Sequence, residues 1–309
     1  MTLFDQFGAG LTAAYERVRD DEGELGTEHR QMLDDQWRAA APYLDQNFKS
    51  AFAHQTAQRF WELRLTNALL ARGFELEPAA ENRPDIATRL PDGRRLWIEA
   101  TAPTLGAESN PDRPPPLREG RLQAVPVERI MLRLSQGVWD KTRRLRLYRQ
   151  QGIIAEGDCT VIALSSGAHW PFIEAPEHPR IFSVLFPIGD ERWIIDRATD
   201  QVVRVEHDYR GEVVRANGSA IAMTAFNTPA SADVSGLIYD FSRAQGIRQQ
   251  DFARFYTIEN PFAAEPLPRD YLPLGYAYRV EEQGGERNLV RTDHQRPANL
   301  IAPMPAEVP

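Results

Sequence analysis

Acidic side chains recur at chemically useful positions in one stretch of the chain, FWELRLTNALLARGFELEPAAENRPDIATRLPDGRRLWIEAT, residues 60–101. Glu62 stands in a helix-forming run, Asp85 directly follows Pro84, and Glu99 interrupts the apolar run from Leu96 to Ala100. Carboxylates delivered from adjacent strands are what a hard divalent ion takes. Magnesium is held by one or two of them, while waters and phosphate oxygens complete a near-octahedral shell. Asp85 and Glu99 suit the ligand role, and Glu62 could hold one of the ion's waters. An ion so placed polarises a phosphodiester, lowers the pKa of the attacking water and neutralises the departing oxyanion. Each acid also has a plainer use. Asp85 could cap a turn after Pro84, and Glu62 could be a helix-surface acid paired with Arg64 or Arg72. Glu99 is harder to explain in that way, because a carboxylate among apolar residues is costly to bury without a metal or a cationic partner.

Three elements would have to position these acids. A helix over Phe60–Ala71 stops at Gly73, a natural left-handed C-terminal residue. FELEP, PDIATRL and RLWIEAT then read as three strands, the last two joined by the turn Pro91-Asp92-Gly93. Strand alternation puts Trp97, Glu99 and Thr101 on one face, with Leu96, Ile98 and Ala100 on the other. Residues 102–126, rich in proline and without periodicity, form a long loop, either a binding loop or a disordered insertion. A long helix follows from Val127 to Gln151, its stripe set by Ile130, Leu134, Val138, Leu145 and Tyr148. Lys141 falls in that stripe, so its ammonium points toward the sheet unless the stem merely snorkels outward. Arg143, Arg144, Arg146 and Arg149 fall on other faces or at the stripe's edge. Lys141 is one of only two lysines among 36 basic residues, which gives its ammonium, as against another guanidinium, a chemical interest of its own.

The helical Glu62, the pair Pro84-Asp85 and the strand acid in Glu99-Ala100-Thr101 resemble the motif of the PD-(D/E)XK nuclease superfamily, whose fold is restriction-endonuclease-like. The resemblance covers roughly residues 55–165. It implies that Asp85 and Glu99 bind Mg2+, with Mn2+ as a substitute, and that the Ala100 carbonyl completes the metal shell. It also implies that Glu62 is the helical acid. Thr101 departs from the motif, standing where the family carries its lysine. Some members of the superfamily place that lysine on a neighbouring helix, and Lys141 is the candidate here. The activity implied is hydrolysis of nucleic acid, with DNA as the expected polymer, by a metal-activated water. Two alternatives belong to other classes: a nuclease-like fold that has lost its chemistry and serves as a binding module, and a regulatory subunit of a defence-related assembly.

The fold expected is α/β: a helical region over 1–55, a nuclease-like core over 56–165 with a mixed sheet flanked by helices, and a β-rich part over 166–309 that continues the sheet and ends in a flexible tail. RIFSVLFPIG, RWIIDR, QVVRVEH, GEVVRA, SAIAMTAF, VSGLIYDFS and FARFYTIENP read as strands. The segment from Glu259 reads as a wrap over the body. A net charge of −8 argues against a generic polyelectrolyte binder, so any nucleic-acid contact must be local. Apolar content of 42%, no membrane-length apolar run and no signal-peptide pattern give the expectation of a cytoplasmic chain with no membrane contact. A second copy or another protein is a further partner to consider. Ser165-Ser166-Gly167-Ala168-His169 sets serines near a histidine without nucleophile-elbow spacing. His29 and His54 stand alone. One cysteine, Cys159, excludes an internal disulfide and a cysteine-based zinc site.

Overall fold

Helices α1 (Ala13–Arg19), α2 (Glu24–Ala40), α3 (Phe48–His54) and α4 (Thr56–Ala71) precede the first strand. The structure, a computed structural model, describes residues 2–116, 120–169, 172, 174–244, 255–269, 272 and 274–292. The α1 start is fixed by Thr12, whose side chain accepts from the Tyr15 amide. Helix α2 begins at Glu24, an acid that complements the helix N-terminus. Helices α3 and α4 do not fuse, because Gln55 leaves helical geometry between them. Helix α4 is buried on two sides. Its Phe60 and Leu63 join Tyr15, Leu33 and Phe52 of the preceding helices, while Trp61, Leu65, Ala68 and Leu69 pack on the sheet. It ends at Gly73 as expected, with φ +81 and bonds from the Gly73 and Phe74 amides to Leu70 and Leu69 carbonyls.

Strands β1 (Ile86–Arg89) and β2 (Arg95–Thr101) form the predicted hairpin, α5 (Val127–Gln150) the predicted long helix, and β3 (Cys159–Ser165) runs parallel to β2. FELEP does not form a strand of its own. It contributes one bridge, Leu76 to Thr88, before Pro78 ends any ladder by lacking an amide proton. The apolar run Ile181–Leu185, expected as a strand, is a short helix, α6; such runs are ambiguous because periodicity cannot separate a buried helical turn from a buried strand. Strands β4 (Ile188–Asp196) and β5 (Gln201–Tyr209) pair only with each other, as do the short β6 (Glu212–Val214) and β7 (Ala220–Ala222). Strands β8 (Gly236–Asp240), β9 (Phe255–Glu259), β10 (Gly275–Gln283) and β11 (Glu286–Thr292) complete a mixed seven-stranded sheet of order β1-β2-β3-β8-β9-β10-β11. The expected wrap after Glu259 is therefore corrected: from Gly275 the chain re-enters the sheet parallel to β9 and turns back antiparallel as β11. The four prolines before it, Pro261, Pro266, Pro268 and Pro273, obscured the alternation. The expected tail lies outside the described residues.

The chain is thus an α/β protein with N-terminal helices, a mixed seven-stranded sheet and small additional sheets toward the C-terminus. One face of the sheet packs on α4 through Leu96, Ile98 and Ala100, and the other on α5 through Trp97, Ile162 and Leu164. No helix among the described residues is long and apolar enough to cross a membrane.

Candidate active site

The site is built where the β1–β2 ladder runs out. Ile86 is the first residue of β1 and pairs with Ile98, so Ala100 reaches beyond the last rung, opposite Pro84. Proline has no amide to offer there. The Ala100 amide instead donates to Asp85 Oδ2 at 2.7 Å, and the Ala100 carbonyl accepts from Gln58 Nε2 at 3.3 Å. The proline-aspartate pair therefore does two things: it stops the strand, and it sets a carboxylate beside the strand bearing Glu99.

Glu99 shares its face with Trp97 and points at α5, as the alternation predicts. It is fully buried. Its Oε1 lies 2.8 Å from Lys141 Nζ and 3.2 Å from Arg144 Nε, while its buried Oε2 has no hydrogen-bond partner among the described residues. Burial raises the Glu99 pKa above the usual carboxylate range and the Asp85 charge adds to this, with Lys141 pulling it back down. Lys141 therefore points inward, its side chain only 16% exposed, and snorkelling does not describe it. A close helix–sheet approach makes this reach available. A Cβ at Gly137, one turn before Lys141, would sit 2.6 Å from Pro103 Cγ and 3.3 Å from Leu164 Cδ1. Thr101 borders that same gap with its methyl group, 3.7 Å from the same point. Residue 101 thus faces the helix turn adjoining the one that carries the ammonium.

Glu62 comes from the opposite layer. Helix α4 covers the other face of the sheet, and Glu62 meets the site at the open edge beside Asp85. Their proximity is registered in the Glu62 pKa, raised to about 7 by burial and then by the Asp85 charge. It is not the surface acid paired with Arg64 or Arg72 that its sequence position also allowed. Gln58 Nε2 donates to its Oε1 at 2.7 Å and Arg59 to its Oε2 at 2.8 Å, whereas Arg64 forms a buried pair with Asp240 at 2.9 Å. A small cleft lined by Glu62, Asp85, Arg83 and Tyr43 among others opens on this side.

Asp85, Glu99, the Ala100 carbonyl and Lys141 are brought together, then, and Glu62 joins through Asp85. Among the described residues no group of three or more histidine, cysteine, aspartate or glutamate side chains is arranged to hold a metal ion. A three-carboxylate cage is therefore not what the geometry offers. Two carboxylates and a backbone carbonyl fit magnesium, which keeps several waters and needs few protein ligands. The orphaned Glu99 Oε2 is the observation that favours this fit, since a buried carboxylate oxygen without a donor is otherwise an unrecovered desolvation cost.

Three contributors escaped the sequence reading. Gln58 lies one helical turn before Glu62 and clamps the edge, its Oε1 accepting from the Ala102 amide at 2.7 Å. Its i−4 spacing from Glu62 is a signal that could have found it. Arg144, placed by sequence off the stripe, reaches Glu99, and Tyr148, read as stripe packing, accepts from Arg144 Nε at 2.8 Å. Both follow Lys141 at spacings of three and seven. The serine–histidine cluster forms no triad. Ser166 Oγ donates to Glu174 at 3.2 Å and accepts from Tyr239, while His169 is buried, its pKa lowered to about 4 mainly by that burial. Comparisons of the chain with protein-family models, with curated proteins and with solved structures each return no match.

Proposed function

We propose that this chain is a divalent-metal-dependent nuclease with a restriction-endonuclease-like core, hydrolysing phosphodiester bonds of nucleic acid, with DNA as the expected polymer. The observation that carries the reading is the Glu99 carboxylate. It is fully buried, held on one oxygen by Lys141 at 2.8 Å and left without a donor among the described residues on the other, beside Asp85 and the Ala100 carbonyl. The chain order α4, β1, β2, α5, β3, with an acid on α4, before β1 and on β2, supports the same reading.

Asp85, Glu99 and the Ala100 carbonyl would hold the ion, Mg2+ or Mn2+. When bound, it supplies Lewis acidity to the phosphodiester and to the attacking water. The residues do the rest. Water adds to phosphorus, the bond to the leaving nucleoside oxygen breaks, and the water's proton must be accepted. Glu62, with a pKa of about 7, is suited to take that proton near neutral pH. Lys141 places a positive charge where the phosphate gathers negative charge in the transition state. Its fixed contact with Glu99 lets it do so without reorganisation.

A second reading, a nuclease-like fold retained as a binding module, is favoured by one observation: two cations already neutralise Glu99 Oε1. Calorimetry with Mg2+ and Mn2+ separates the two. An active site binds either ion in a manner lost in Asp85→Asn and Glu99→Gln, and cleaves some member of a panel of single- and double-stranded DNA and RNA. Asp85→Ala and Glu99→Ala should abolish cleavage, and Lys141→Ala should cripple it. Metal-dependent cleavage that survives Asp85→Ala or Glu99→Ala would refute the nuclease assignment of this site. Absence of metal binding and cleavage in the unaltered chain would leave the binding module.

A further inference from the structure

Arg144 stands beside the two carboxylates in an arrangement that neutralisation of Glu99 does not explain. Arginine pairs most strongly with a carboxylate when two of its nitrogens meet both oxygens side by side. Here Nε lies 3.2 Å from Oε1, the oxygen that Lys141 already contacts, and among the described residues no hydrogen bond reaches Oε2. The Nε proton is given to the Tyr148 hydroxyl at 2.8 Å, and the guanidinium carbon lies 5.5 Å from the Tyr148 ring centre. Tyr148 is held in turn, its hydroxyl donating to the Arg83 carbonyl at 3.3 Å. Among the described residues the two terminal nitrogens of Arg144 make no hydrogen bond, and 55% of the side chain is exposed. The guanidinium is thus pinned at its inner nitrogen and presents its outer edge, four N–H donors in a plane, to solvent at the mouth of the site.

We infer that Arg144 is a phosphate-gripping residue of this site, its outer edge donating to non-bridging oxygens of the nucleic-acid backbone next to the bond that is cut, and that Tyr148 is the positioning residue that aims it. The inference rests on the nuclease reading of the preceding section. Its chemistry is specific to phosphate: a planar fork matches two phosphate oxygens, which a lysine ammonium does not. It also resolves how a chain of net charge −8 can hold a polyanion at an acidic site, because the contact is local and supplied from α5. Lys141 and Arg144 divide the work by depth, the ammonium buried against Glu99 and the guanidinium at the surface.

The test uses the full chain with fluorescent single- and double-stranded oligonucleotides. Binding is measured in Ca2+ by anisotropy over a salt series, and cleavage in Mg2+ at varied substrate concentration. Arg144→Ala should weaken binding at least tenfold at low salt and reduce the slope of log K against log salt by about 0.7–0.9, the loss of one phosphate contact. Arg144→Lys should recover part of the binding but little of the cleavage rate. Tyr148→Phe should keep the salt slope and lower kcat with KM nearly unchanged, because the fork is present but less well aimed. Wild-type cleavage with an unaltered Arg144→Ala salt slope would overturn the phosphate grip while leaving the nuclease reading intact. A wild-type chain that neither binds nor cleaves any oligonucleotide would overturn both.

Discussion

Replacing Lys141 by methionine tests the site's electrostatics without reference to any substrate. The ammonium lies 2.8 Å from Glu99 Oε1. At that separation two unit charges attract by about 6 kcal/mol for an effective dielectric of about 20. Desolvation offsets part of this, and removing one partner of a buried pair costs about 3–5 kcal/mol in practice. Arg144 remains 3.2 Å away and compensates partly, so the low end, about 3 kcal/mol, is expected for Lys141→Met at pH 7.5. The pH dependence has a definite sign. The folded pKa of Glu99 already lies above its ordinary 4.5, and loss of Lys141, which pulls it down, raises it further. A carboxyl with a raised folded pKa contributes stability that is complete below the unfolded value and lost as pH rises through the folded one. The penalty of Lys141→Met should therefore be largest at pH 7.5 and fade toward pH 4.5, where Glu99 takes up a proton. Urea unfolding of wild type, Lys141→Met, Glu99→Gln and the double variant at both pH values measures it. The double variant should regain most of the loss, because no charge is left buried alone. A penalty under about 1 kcal/mol at pH 7.5, or one unchanged in the Glu99→Gln background, would refute the buried-pair argument.

Glu62, with a folded pKa of about 7 against 4.5 for a free side chain, contributes stability present below about pH 4.5 and lost as pH rises through 7. The loss amounts to about 3 kcal/mol, and urea midpoints of Glu62→Gln should show a flatter profile between pH 5 and 8 than wild type. Asp85→Asn keeps an acceptor for the Ala100 amide and should cost less than about 1 kcal/mol. Removing its like charge should lower the pKa values of both Glu62 and Glu99 in carboxyl NMR titrations, and unchanged values would show that Asp85 does not act on them. Gly137→Ala, ordinarily favourable inside a helix, should instead destabilise by about 1–3 kcal/mol in urea unfolding, because the added Cβ meets Pro103 and Leu164. A stabilised variant would mean that α5 does not approach the sheet as closely as described.

What could be read from residues alone was local. Gly73 ended α4 because it can take a positive φ. Alternation along Leu96–Thr101 fixed the face toward which Glu99 points. The period of α5 likewise turned Lys141 inward, since a stripe of Ile130, Leu134, Val138, Leu145 and Tyr148 leaves only one face for the sheet. The tertiary structure decided everything that depends on which layer an element joins. It put Glu62 and Glu99 on opposite faces, meeting only where the ladder ends at Asp85, and it gave Arg64 to Asp240 while giving Arg59 to Glu62. It returned residues after Gly275 to the sheet, a long-range pairing with no local signature. It also recruited Gln58, Arg144 and Tyr148, whose polar atoms matter only once strand and helix stand within hydrogen-bond reach. Periodicity states which way a side chain faces, whereas the partner it meets is set by packing between segments distant in the chain, and a site made of partners needs both.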